Sequence, residues 1–337
     1  MSEIKKEETI MIEMEAYYEA MTENLTELED FYADGWPLEK IEAYIGRMTL
    51  RAYDYQSELN LPLYRARYAE DFDITDPNQF SYIHNLDVIK MLRYNKDHEA
   101  VLYTATHPLI AFKEIEDAGK PDSFFLSVWM PKKDDSVFKL ALNINGSGVV
   151  AGSNAGKFHQ ILKDNIGEGS LEYMYLSELG HILEKPGSDY RFSSILASQL
   201  FQDYDALMTT SMKSEGKELN VTFNQKATDD SMEIKYLYHC DVPKTNTLAF
   251  NVRGIGIPEN GRIAWYKWSI DYDSIALSPD CPYSVFLPDL RNAIKTGKGI
   301  SQCAMQPNVN KEPMAVHDGA VIYNGDSYQV KFRVKLG

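Results

Sequence analysis

The sequence predicts an α+β protein, and three observations carry that prediction. The first sixty residues place apolar side chains at helical spacing, and from Leu61 short apolar runs alternate with helical stretches. Beyond Asn220 strand-like runs dominate. At 337 residues and 44% apolar composition the chain has the material for a substantial core. These textures divide it into an acidic helical segment over 1–60, a mixed core over 61–225, and a β-rich part over 226–337 that packs on the core or forms a small second domain.

In the first segment Ile41, Tyr44, Ile45, Met48 and Ala52 share one helical face, and Trp36-Pro37 marks its start because proline suits a first turn. Residues 11–18 predict a further helix studded with acidic side chains. In the core, strands are predicted over 61–68, 100–105, 123–130 and 138–144, and helices over 108–115, 157–165, 171–183 and 190–204. Pro108 takes the first position of its helix, with Thr106 or His107 as cap. Farther on, strands are predicted over 234–239, 248–257 and 262–270. A last pair over 320–323 and 328–334 flanks Asn324-Gly325, a hairpin signal.

The net charge of −16 is unevenly placed, with 15 acidic and 5 basic side chains in residues 1–60 against 12 and 13 in residues 226–337. An acidic surface repels phosphate backbones, so no nucleic-acid partner is expected, and a basic protein or a locally basic pocket fits better. No membrane partner is expected either: the chain lacks a long apolar run, and its first residues lack the apolar core of a signal peptide. The expectation is a cytoplasmic protein. Cys240, Cys281 and Cys303 are too few and too scattered for a disulfide framework, which predicts free thiols, and the seven histidines offer no metal-spaced pair on one predicted helix. The glycine-rich run from Gly146 to Lys157 fails as a phosphate loop, since Phe158 stands where the magnesium-binding hydroxyl belongs. It reads as a flexible loop over a cleft.

Four polar residues stand inside otherwise apolar segments: Arg65, Tyr103, Glu114 and Ser211. Such groups are costly unless paired, and they mark candidate sites. A guanidinium offers a planar fork to a phosphate or diphosphate, and Arg67, two residues from Arg65 on the same strand face, can serve as well or instead. A carboxylate such as Glu114 stabilises positive charge developing at an anomeric carbon. Tyr103 offers a flat face and a hydroxyl, and Ser211 a short hydrogen bond. Arg93, Asn95 and Lys213 are placed to add contacts. This set fits a phosphorylated nucleoside without choosing among them.

The order of these residues resembles the RES family. Tyr64-Arg65, Arg93-Tyr94-Asn95, Leu102-Tyr103, Glu114, Tyr190, Asp205, Ser211 and Asn220 follow the family's pattern over roughly half of the chain. The resemblance implies an ADP-ribosyltransferase-like core extended at both ends. Its implied activity is that of a toxin which cleaves the nicotinamide–ribose bond of NAD, or transfers ADP-ribose, under the control of an antitoxin or other regulatory protein. It implies catalytic roles for Arg65, Tyr103, Glu114 and Ser211, and substrate contacts from Arg67, Arg93, Asn95, Tyr190, Lys213 and Asn220. NAD is the substrate the resemblance implies, and no metal is implied. The chain departs from the pattern at Leu92, Ala206 and Thr209, which favours a second reading: a catalytically silent nucleotide-binding or partner-binding protein on the same scaffold.

Overall fold

The computed structural model describes residues 14–28, 35–48, 50–59, 61–69, 72–116, 121–144, 148–184, 190–242, 252–270, 315–317, 320–323 and 328–335. They form an α+β structure in two compact units, each gathered from three stretches of chain. The first unit takes residues 1–59, 83–103 and 135–230, and the second takes 60–82, 104–134 and 231–337.

The first unit begins with helices α1 (residues 14–28) and α2 (Leu38–Arg47). As the proline predicts, α2 starts just after Pro37, whose carbonyl accepts from the amides of Lys40 and Ile41. Ile41, Tyr44 and Ile45 are buried on its inner face. The helix stops at Arg47, short of the expected extent, and the chain turns into strand β1 (Tyr53–Ser57). Tyr53, Tyr55 and Ser57 are half-buried while Asp54 and Gln56 are exposed. That period of two spans only five residues and is masked by the helical spacing ahead of it.

The strands of this unit lie in the order β1, β5 (Phe138–Asn143), β6 (Ala206–Thr210), β7 (Leu219–Asn224) and β3 (Val101–Ala105), the last belonging to it as far as Tyr103. β5 and β6 run parallel, whereas β1/β5 and β6/β7 are antiparallel, so the arrangement is mixed. Helix α5 (Leu171–Glu184) packs on β5 and β6, α4 (Asn154–Ile166) packs on α5, and α6 (Arg191–Leu200) meets α2. Trp36, Tyr44, Tyr175, Phe192 and Leu207 sit in one core, with the Trp36 and Tyr44 rings edge to face at 5.2 Å. Ser153 starts α4 three residues earlier than expected, because its hydroxyl accepts from the Gly156 amide at 3.1 Å. α6 ends at Leu200, four residues early, where Asn224 donates from its side chain to the Tyr204 carbonyl at 2.8 Å.

In the second unit β2 (Leu63–Tyr68), β4 (Ser123–Pro131), β8 (Met232–Asp241), β9 (Val252–Glu259), β10 (Arg262–Ile270), β13 (Tyr328–Lys335), β12 (Ala320–Tyr323) and β11 (Ala315–His317) follow in that order, each antiparallel to the next. β8 pairs with β4 along its whole length, so the strand-rich C-terminal part continues the sheet of the core. β12 and β13 pair as the Asn-Gly step predicts, while the turn residues 324–327 lie outside the described residues. Helix α3 (Pro108–Ile115) has the predicted bounds and packs on β2 and β4. Cys240 is a buried free thiol, and burial pushes its pKa up. Cys281 and Cys303 lie outside the described residues.

Leu179 is fully buried in α5 within the first unit's core. Leu179→Ala is expected to lower unfolding free energy by about 3 kcal/mol, as read by chemical denaturation.

Candidate functional site

In the first unit the Arg93-Tyr94-Asn95 stretch forms a tight turn, with the Leu92 amide donating to the Asn95 carbonyl at 3.1 Å. Asn95 is buried, and its side-chain amide donates to the carbonyls of Lys90 at 3.0 Å and Lys96 at 2.8 Å. These bonds fix its Oδ1, which accepts from the Tyr103 hydroxyl at 2.9 Å. The same hydroxyl accepts from the Tyr94 amide at 2.9 Å. The rings of Tyr94 and Tyr103 lie stacked, with centroids 6.1 Å apart. Tyr103, the half-buried member, is thereby held at its hydroxyl and along its face.

Tyr94 is buried, and its hydroxyl shares a hydrogen bond with Thr209 Oγ1 at 3.0 Å. Burial pushes its phenol up to about 12, against the pull of the Arg93 charge and the Thr209 bond. The Arg93 guanidinium lies 5.7 Å from the centre of the Tyr190 ring. Asn220 stands across from Thr209 in the β6/β7 register, so its side chain leaves the sheet on the face where Thr209 meets Tyr94. Asp205 fixes the start of β6 by accepting from the Lys139 amide at 2.8 Å. Of the residues expected at a site, the structure therefore gathers Arg93, Asn95, Tyr103, Tyr190 and Asn220.

Ser211 is buried just past β6, where its Oγ accepts from the Lys213 amide at 3.2 Å and caps a short 3-10 turn, Met212–Ser214. Lys213 itself is exposed. Of the glycine-rich run, residues 148–157 are described, and hydrogen bonds hold them where a flexible loop over a cleft was expected. Val150 and Ala155 donate to the carbonyls of Gly216 and Lys217 at 3.0 Å each, and the Asn154 side chain donates to Glu218 Oε2 at 2.8 Å. Gly216 has φ +78, and a Cβ there would stand 2.1 Å from the Gly148 carbonyl oxygen. The loop is docked on the turn that follows Ser211.

Arg65, Arg67 and Glu114 belong to the second unit. Along β2, Tyr64, Ala66 and Tyr68 point to one face, and Leu63, Arg65 and Arg67 to the other. Arg67 stands opposite Phe125 and Tyr68 opposite Phe124. Helix α3 packs Phe112 on Phe124 at 4.6 Å, which places it on the tyrosine face. The two arginines and the helix that carries Glu114 therefore lie on opposite faces of this sheet. Glu114 is exposed in the last turn of α3. Arg67 is engaged: its guanidinium donates to the Gln79 carbonyl and lies 4.5 Å from the Phe72 ring centre, beside Phe80 and Phe125. These contacts hold its guanidinium against the protein's own groups. Arg65 has its Nε buried, and its carbonyl accepts from Ser127 Oγ at 3.2 Å.

Sequence reasoning left Tyr94, Thr209 and Glu184 without roles. Tyr94 was visible inside the Arg-Tyr-Asn stretch, and Thr209 only as a departure from the family pattern. Glu184 carries no signal beyond its place at the end of an apolar helix. Among the described residues no cluster of His, Cys, Asp or Glu could hold a metal ion, and no helix is long and apolar enough to cross a membrane. No protein-family model matches the chain. No curated protein matches it either.

Folding keeps the Tyr94 phenol neutral above its ordinary pKa of 10.0, so its stabilising share is whole below that value and is lost as pH climbs through about 12. The loss is on the order of 2 to 3 kcal/mol. Tyr94→Phe is expected to shrink the fall in unfolding free energy between about pH 9 and about pH 12 by that amount, measured by denaturant titration. Gly216→Ala is expected to cost more than about 1 kcal/mol by the same method, since its methyl group meets a backbone carbonyl.

Proposed function

We propose that the chain is a RES-type enzyme that cleaves NAD at the nicotinamide–ribose bond, releasing nicotinamide and handing ADP-ribose to water, phosphate or another acceptor. The observation that carries this reading is the locked Tyr103. The Arg93-Tyr94-Asn95 stretch of the family pattern is folded around its hydroxyl, and the Tyr94 ring is stacked on its own. A half-buried ring held at both hydroxyl and face suits stacking on a flat heterocycle, because little freedom remains to be lost on binding.

In this reaction the C1′–N1 bond breaks and its electron pair stays on nicotinamide, turning a pyridinium into a neutral base. The leaving group needs no proton, so positioning and stabilisation of an oxocarbenium-like carbon do the work. The acceptor's lone pair then bonds to C1′, and with water as acceptor the surplus proton goes to solvent. Arg93 is suited to a phosphate oxygen and Asn220 to a ribose hydroxyl. Arg65, Glu114 and Ser211 enter the proposal through the resemblance, as does a regulatory partner that restrains the activity.

One observation favours the second reading, a protein that binds a nucleotide or a partner without cleaving it. The arginines of β2 and the helix bearing Glu114 start from opposite faces of one sheet, and Arg67 is already committed to Gln79 and Phe72.

Incubation of the purified chain with NAD, followed by chromatography for nicotinamide, separates the two. The enzyme reading expects release that Arg65→Ala, Glu114→Ala and Tyr103→Phe each reduce, by about a hundredfold for the two charged residues. NAD binding in calorimetry without any release would establish the silent reading. Neither release nor binding would remove the enzyme reading and, of the silent reading, the part that concerns NAD.

A further inference from the structure

We propose that Glu184 is a positioning residue of this site: its carboxylate fixes the end of β6 and, through Thr209 and Tyr94, the attitude of Tyr103. The inference rests on the functional reading above. Its structural half stands without it.

The argument starts from a backbone donor. β5 ends at Asn143, whose register partner on β6 is Thr209, so the amide of Thr210 comes just past the last strand pair on that side. Thr210 is 4% exposed, and a buried amide without an acceptor costs about as much as a lost hydrogen bond. Glu184 Oε1 supplies the acceptor at 3.0 Å. It can do so because Glu184 is the last residue of α5, the helix laid over β5 and β6, so its side chain comes down at the strand end. A carboxylate makes this a charge-assisted bond, stronger than a neutral carbonyl would give.

The residue on one side of Thr210 is Thr209, whose hydroxyl is bonded to Tyr94; on the other side is Ser211. The Tyr94 amide donates to the Tyr103 hydroxyl, which donates to Asn95. From a helix-end carboxylate to the ring proposed to meet the substrate, hydrogen bonds of 3.0 Å or less alternate with two covalent links, the Thr209–Thr210 backbone and Tyr94 itself. Glu184 and Arg93 also act in opposite senses on the Tyr94 phenol, which places both charges within electrostatic reach of it. Releasing the end of β6 would free Thr209, then Tyr94, then Tyr103. Glutamine at 184 keeps an acceptor oxygen in place, and alanine keeps nothing.

A double-mutant cycle on nicotinamide release tests the relay. Glu184→Ala is expected to lower kcat/KM about tenfold in the wild-type background and less than about twofold in a Tyr103→Phe background, with Glu184→Gln near wild type. Equal losses in both backgrounds, or no loss in either, overturn the proposal. Should the wild type release no nicotinamide, the functional reading fails by itself, and hydrogen exchange decides the structural half. Glu184→Ala should then speed exchange in segments 206–212 and 94–104 together, with Gln restoring both. Faster exchange confined to 206–212 would sink the relay.

Discussion

A strand that is buried along its whole length and ends in two threonines sets the constraint on which the first unit depends. β6 reads Ala-Leu-Met-Thr-Thr with every residue buried, so the hydroxyl of Thr209 and the amide of Thr210 must find partners inside the protein. The partners come from far along the chain, Tyr94 from the turn before β3 and Glu184 from the end of α5. Satisfying the strand therefore decides where that turn and that helix end can lie. The turn in turn carries Arg93 and Asn95, and its backbone amide at Tyr94 fixes the Tyr103 hydroxyl. A polar requirement in the core is what orders the residues with the best claim to chemistry.

Strand parity imposes a constraint of the same kind on the second unit. Residues two apart on β2 share a face, and the packing of α3 on Phe124 assigns the tyrosines to the helix side. Arg65 and Arg67 are thereby committed to the other face, where an aromatic cluster of Phe72, Phe80, Phe125 and Trp265 takes up Arg67. A one-residue register change would reverse both assignments at once, so the arginine pair is fixed by the same contacts that seal the sheet.

Much of this fold was legible in the sequence, for reasons that differ by element. Pro108 with His107 as cap gave the bounds of α3, and alternation or continuous apolar runs gave β2, β3, β4, β5, β8 and β10 to within a few residues. Short elements against a contrary background were lost. β1 was hidden behind the spacing of α2, and β7 and the helix at Gln225–Ser231 gave no distinct period. Of the candidate site, only Tyr103 stood out as a polar residue in an apolar segment, while Arg93, Asn95, Tyr190 and Asn220 were picked out by their order along the chain. The sequence could not reveal Thr209 or Glu184, because a threonine in a strand and a glutamate at a helix end are ordinary until their partners are known. Arg65 was preferred over Arg67 only through its place after Tyr64, and the contacts of Arg67 with Gln79 and Phe72 were not legible.

Bulk charge gives a misleading picture of what this chain can attract. A net charge of −16 opposes a diphosphate in the far field, yet the turn from Lys90 to Lys96 holds three cations, Lys90, Arg93 and Lys96, within seven residues. Carboxylates share the turn with them, for Asp97 Oδ1 accepts from the Met91 amide at 2.8 Å and Glu99 Oε2 from the Lys96 amide at 2.9 Å. Both carboxylates are drawn onto the backbone of the turn, while Lys90 is exposed and Arg93 reaches the Tyr190 ring. Fields fall off within about a Debye length, some 8 Å in physiological salt, so an approaching phosphate responds to the groups around it more than to the net charge of the chain. The turn that locks Tyr103 thus brings cations and carboxylates together, and their local balance, not the sum over 337 residues, decides what the surroundings of that ring attract.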